Sequence, residues 1–314
     1  TASFGFITVE NAAKLLPAVP AVTAAATAVI VMDCVMTFFG SSANDACFNA
    51  WLTDSTDETN RGAAEGINSM MPMLAILVVF GGAMFLDASA PNYWNIIFGV
   101  IGTVVFVLGI CGFFLIKEPK VDTSANKRYF ANLFYGFRPS VIRANPMLYA
   151  TLVCFMAFNI SIQIFMPYLI IYYEVSLQMT NYVLIMAPAI IIASVVTALW
   201  GRVYDKKGFT YSGLIAVLGL MVGYVILFFT KTTVPVFIGS LFMMSGYLAG
   251  MAVFGAVIRD NTPVGKAGRL QGVRIFSQVL IPGVVGPAIG KKVLENAEVI
   301  VNNDGTTSFI PNEN

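Results

Sequence analysis

Eight stretches of about 20 apolar residues, separated by shorter polar connections, leave this chain few folds to choose from. A helix rises about 1.5 Å per residue, so each stretch matches the roughly 30 Å hydrocarbon core of a bilayer. In hydrocarbon every backbone N–H and C=O must find its partner within the protein, which favours helices. The stretches run from about Val19 into Leu52, then Gly66–Leu86, Tyr93–Ile116, Met147–Tyr173, Tyr182–Trp200, Ser212–Phe229, Val234–Ile258 and Leu270–Gly290. Composition agrees: 57% of the 314 residues are hydrophobic and 11% are charged. A soluble domain is about 25% charged, and its core stops growing near ~250–300 residues. The expected fold is an all-α, polytopic transmembrane helical bundle.

The basic residues set an orientation. Fourteen of the 18 Lys and Arg fall on alternate connections: around Arg61, between Lys117 and Arg143, between Arg202 and Lys207, and between Arg259 and Arg274. The other connections hold only Lys14, Lys231, Lys291 and Lys292. The positive-inside rule places the first set in the cytoplasm of a multi-pass protein, for which the cell membrane is the expected location. The long connection Lys117–Pro146 repeats Tyr129, Phe130, Leu133, Phe134 and Phe137 at helical spacing among Arg and Lys. It reads as an amphipathic helix on the cytoplasmic surface, or simply as a connector.

Several chemistries are excluded. The chain has no histidine, which removes His zinc sites, His relays and Ser-His-Asp triads. Its four cysteines, Cys34, Cys47, Cys111 and Cys154, lack metal or redox spacing and are expected to be small buried apolar residues. No enzyme, cofactor or metal site is expected. A net charge of +1 offers no field for nucleic acid.

Polar residues inside the apolar stretches are the candidates for function. In the first stretch Asp33, Thr37, Ser41, Asp45, Asn49 and Thr53 recur every fourth position. Such steps drift by about 40° around a helix, so Ser41, Asp45 and Asn49 share a face. A carboxylate at bilayer depth costs about 2.5–3.5 kcal/mol on insertion scales, so Asp45, and Asp33 nearer the outer end, are candidate proton or cation sites. Proton and Na⁺ coupling both remain open, because a carboxylate can titrate or ligate. Ser41 and Asn49 are candidate substrate contacts. So are Asn159 and Gln163, one turn apart, and Gln278, though such residues also hold neighbouring helices together. Tyr168, Tyr172 and Tyr173 read as an interfacial belt or a sugar-stacking platform.

The chain also echoes itself. Trp51-Leu-Thr-Asp54-Ser-Thr-Asp-Glu-Thr-Asn-Arg61 and Val257-Ile-Arg-Asp260-Asn-Thr-Pro-Val-Gly-Lys-Ala-Gly-Arg269 each run from a helix end through Asp, Thr and a turn to Arg and then Gly, about 206 residues apart. Duplicated halves are a common way to build transporters. With Gly201-Arg-Val-Tyr-Asp205-Lys-Lys-Gly208, these segments resemble the major facilitator superfamily. That motif is similar to its G-x-x-x-D-[RK]-x-G connection, and the two echoed segments to its loops 4–5 and 10–11. The resemblance covers nearly the whole chain and implies helices 4 to 11 of twelve, in pseudo-symmetric halves. It implies residues 1–116 in the first half, 117–146 as linker, 147–301 in the second half and 302–314 as an outside-facing polar tail. A chain without an initial Met is then expected to be a piece of a longer one.

Within that superfamily the chain looks most like the glycoside–pentoside–hexuronide:cation symporters, whose acidic residue on helix 4 has its counterpart in Asp45. It departs from the melibiose carriers, having no basic residue after Arg61 in helix 5 and Leu280–Gly283 where they carry a Lys. Acidic and basic groups at the cytoplasmic helix ends, Asp54, Arg61, Arg202, Asp205, Asp260 and Arg269, are expected either to pair as a gate or to cap helices. The expected function is symport of a sugar, glycoside or similar small polar solute with H⁺ or Na⁺, by a monomer in a lipid bilayer. Efflux of amphipathic compounds is the alternative, and a non-transporting sensor of the same fold a further one.

Overall fold

A computed structural model describes residues 2–15, 19–83, 86, 92–116, 134–179, 182–263, 265–294, 298–301 and 307–310; the side chains of a few helical residues, Asp45 among them, lie outside that description. Most of the expected surface helix within 117–146 lies outside it too, leaving a 3₁₀ turn Tyr135–Phe137 and a short helix, α5.

The helices are α1 (Val9–Leu15), α2 (Ala21–Ser55), α3 (Arg61–Ala83), α4 (Tyr93–Leu115), α5 (Pro139–Ala144), α6 (Pro146–Glu174), α7 (Tyr182–Phe229), α8 (Thr233–Asp260) and α9 (Ala267–Leu294). Proline begins α5 and α6, where its missing N–H costs nothing. Seven described helices are long and apolar enough to cross a membrane, as an all-α membrane bundle requires. The 48-residue α7 holds two of the eight expected stretches. Gly208 divides it, with φ 76°, a value that glycine tolerates and side chains resist. The Trp200 indole N–H donates to Ser212 O at 3.1 Å, whereas twelve residues of straight helix would separate them by roughly 18 Å. The chain therefore doubles back at Gly208.

Three of the described helices carry π-helical turns: Ser42–Phe48 in α2, Tyr172–Ser176 running past the end of α6, and Phe276–Leu280 in α9. Such turns are rare and occur often at functional sites. The only described strands, β1 (Glu298–Val301) and β2 (Thr307–Ile310), form an antiparallel hairpin, so part of the expected polar tail is strand.

The chain divides into two compact units. One comprises 1–52 and 76–121, and the other comprises 53–75 and 122–314. Segment 53–75, expected in the first half, therefore belongs with the second unit. In the first unit, α4 has no buried residue, and the Ala21–Ser41 part of α2 buries Ala24 alone among its described side chains. In the second, Phe254 gathers Phe155, Phe158 and Phe209 with ring centroids 5.3–5.5 Å from its own. Small residues let α7 and α8 touch, and a Cβ on Gly246 would meet the Leu220 backbone.

All four cysteines are exposed, against the expectation of burial. The reason is the solvent. A bundle in lipid has an apolar exterior as well as an apolar core, so a small apolar residue gains little by turning inward.

Candidate functional site

The polar stripe of α2 and the charged helix ends behave differently. In α2, Asp45 lies within the π-helical turn Ser42–Phe48. Asn49, half-buried, donates its side-chain amide to Asn44 O at 3.0 Å, five residues back. Asp33 and Ser41 are exposed on the same helix. Elsewhere the candidate contacts turn inward. Asn159 is buried and donates to Phe155 O at 2.8 Å on its own helix. Gln163 packs where α6 and α9 approach, facing Gly286. Gln278 is half-buried in the π-helical turn of α9.

The charged helix ends assemble within the second unit, in two layers. The outer layer joins Arg61 at the start of α3 to Asp260 at the end of α8, Nη1 to Oδ1 at 3.0 Å. The Tyr204 hydroxyl donates to the other oxygen of Asp260. Asp205 accepts from the backbone N–H groups of Gly62 at 2.7 Å and Ala63 at 3.0 Å. These are orphan donors of the first turn of α3, at the positive end of its dipole. A carboxylate from another helix thus does the work of a cap. Backbones approach closely here, since a Cβ on Gly62 or Gly201 would strike the backbone of the other. Beside this layer, the Thr59 hydroxyl and N–H hold the Asp57 carboxyl below the usual carboxylate range.

The inner layer is a buried ion cluster. Glu65, one turn after Arg61, receives Arg259 Nε on Oε1, with side-chain exposures of 2% and 1%. Arg274 Nη2 lies 3.5 Å from the same oxygen, and Asn68 donates to Oε2 at 3.1 Å. Arg259 also donates to Thr53 Oγ1 at 2.6 Å. Gly255, a turn before Arg259, leaves room, because a Cβ there would sit 2.8 Å from the Glu65 carboxyl carbon. Ions this buried are held only when paired and hydrogen-bonded.

Of the six expected gate residues, Arg61, Asp205 and Asp260 meet in one place. Asp54 is half-buried and Arg202 exposed. Arg269 sets its guanidinium carbon 5.6 Å from the Tyr135 ring. Glu65, Arg259, Tyr204 and Asn68 were missed as site residues. Glu65 carried a signal, as a carboxylate four residues inside an apolar helix, the feature that singled out Asp45. Replacing Asp205 with Ala strips two N–H groups of their acceptor and is expected to lower stability by about 1 kcal/mol, read from denaturant unfolding in micelles. Asp205→Asn retains an acceptor but not the charge and should lose less.

A family model described as the Major Facilitator Superfamily matches residues 12–287. No curated protein and no solved structure matches the chain.

Proposed function

The chain belongs to the Major Facilitator Superfamily, a family of secondary transporters, and on that premise we propose that it carries a sugar, glycoside or similar small polar solute by cation symport. The observation that carries the reading is Asp45, set in a π-helical turn of an otherwise apolar helix with Ser41 one turn before and Asn49 one turn after. A carboxylate at that depth avoids lipid, so the face bearing Asp33, Ser41 and Asp45 is one for water, ion and solute. Asp45 is the coupling acid, with Asp33 toward the outer end. Ser41 and Asn49 are hydroxyl-reading groups on that face of α2, and Asn159, Gln163 and Gln278 are candidate hydroxyl-reading groups within the second unit. The two-layered ion cluster is the cytoplasmic gate, made in the inward-closed state and broken when the halves rock.

The test expresses the protein from its full coding sequence in weakly buffered cells. Sugars and glycosides are added one at a time while external pH is followed, and the panel is repeated under a sodium gradient. A solute that alkalinises the medium, and no longer does so in Asp45→Asn, gives proton symport through Asp45. Solute entry driven by sodium gives the Na⁺ form. Coupling unchanged in Asp45→Asn removes Asp45 from the mechanism.

Efflux of amphipathic compounds is the second reading. A cavity of about 430 Å³ in the second unit favours it, with Phe165, Tyr168, Tyr172, Tyr224, Leu227 and Phe228 among its mostly apolar lining. Dye accumulation that rises when the protein is inactivated, without any sugar response, would select it.

A further inference from the structure

The inner ion cluster borders a small cavity within the second unit. Thr53, Thr262, Gln271 and Arg274 form its polar wall, and Leu148, Leu152 and Ile258 are part of its apolar wall. The cavity has about 10 Å³ of room for the centre of a water-sized sphere. A single water needs roughly 10–15 Å³ on that scale, so the space takes one water and excludes a larger solute.

Gln271 is the reason for a polar occupant. The residue is 5% exposed, and its Oε1 is buried without a hydrogen bond from the protein. A buried acceptor left unmade loses the hydration it had in the unfolded chain, so such groups are nearly always partnered. The rest of the polar wall suits the same occupant. The Thr262 hydroxyl donates to Ile258 O at 2.6 Å, and its own oxygen can accept in turn. Arg274 presents N–H donors on a fixed fork, and one guanidinium can serve several acceptors at once. Thr53 Oγ1 accepts from Arg259, which ties this wall to the ion cluster. An anion would match the arginine but not the amide oxygen, and a cation the oxygens but not the arginine. Water, which both donates and accepts, matches all of them.

We propose that this cavity is the site of one resident water molecule, which donates to Gln271 Oε1 and joins Gln271 to Thr262 and Arg274. A bridging water is nearly as good as a direct hydrogen bond. It extends the inner layer from Glu65, Arg259 and Arg274 to the turn that follows α8, so one corner of that layer is held through water. The site rests on packing within the second unit and is independent of the solute carried.

The experiment is X-ray radiolytic footprinting of the purified chain in detergent micelles, read by mass spectrometry. A short pulse turns water into hydroxyl radicals where it sits, so side chains beside a bound water are oxidised even when buried. Leu148, Leu152 and Ile258 are 2%, 3% and 3% exposed, whereas Val141 and Val273, outside the cavity wall, are 8% and 7% exposed. Corrected for the reactivity of each residue type, the three cavity residues should be oxidised faster than the two valines, against the order of exposure. Rates that follow exposure would overturn the proposal. Gln271→Leu removes the acceptor at similar size and should cut the labelling of Leu152 about fivefold, the factor that one hydrogen bond carries. Ala267→Val keeps the amide, fills the space and should abolish that labelling. Labelling unchanged in either folded variant would mean that water arrives by another route, and would also overturn the site. The first comparison uses the native chain, so it decides the question even where a variant fails to fold. Flux is not measured, so failure here leaves the transport reading untouched.

Discussion

Glu65→Ala is expected to lower the stability of the protein by about 3–5 kcal/mol, the range for breaking a buried ion pair from one side. The side chain removed is small, but two guanidinium groups remain. Arg259, 1% exposed, loses the carboxylate at its Nε, and Arg274 loses the anion 3.5 Å from its Nη2. Neither charge can be shed at any accessible pH, since arginine stays protonated. Glu65→Gln should recover only part of the loss, because it restores shape and an acceptor without the charge. Combining Glu65→Leu with Arg259→Met and Arg274→Met should be milder than Glu65→Ala, as apolar replacement of a whole buried ion cluster is often neutral. Denaturant unfolding in micelles, with the single variants alongside the combined one, measures all of these. A loss under about 1 kcal/mol for Glu65→Ala, the size expected of an exposed pair, would mean that water reaches the cluster.

The sequence made some of this legible and hid the rest for physical reasons. Apolar length alone placed the helices, because lipid imposes a one-dimensional rule. The Tyr182–Trp200 and Ser212–Phe229 stretches remain distinct within α7 because Gly208 turns the chain. The 206-residue echo pointed to Asp54, Arg61, Asp260 and Arg269 as a group, yet Arg61 pairs with Asp260, Arg269 lies against the Tyr135 ring, and Thr53 reaches Arg259 across the same offset. Pattern shows which segments correspond; it does not show which side chain lies opposite which. Arg259 was read as one more basic residue of a connection, since its burial comes from α3 packing against α8. Cysteine burial failed for the converse reason, a soluble-protein habit applied where the outside is also apolar.

Gly201→Leu is expected to prise the outer layer apart. A Cβ on Gly201 would strike the Gly62 carbonyl and come within 3.1 Å of the Ala63 Cα. Those atoms are backbone at the start of a helix, and no rotamer change moves them. The helices must separate, and Asp205 then loses reach of the Gly62 and Ala63 N–H groups it caps at 2.7 and 3.0 Å. Overpacking costs about 1–3 kcal/mol, and the lost cap about 1 kcal/mol more. A global loss and a local opening can be told apart. In a background with the four native cysteines replaced, Ala63→Cys reports the gap by its alkylation rate. Gly201→Leu should raise that rate about tenfold or more while the inner cluster still holds the fold. Gly208→Ala strains the backbone at φ 76° by about 1–2 kcal/mol but places no atom between α3 and α7, so it should leave alkylation near its starting rate. Equal rates in the Gly201→Leu and Gly208→Ala backgrounds would show that the close approach of Gly62 and Gly201 does not control access to this face. A rate raised only by Gly201→Leu would place the mechanical contact of the outer layer, and so of the proposed gate, at two residues without side chains, with Asp205 as the clasp over it.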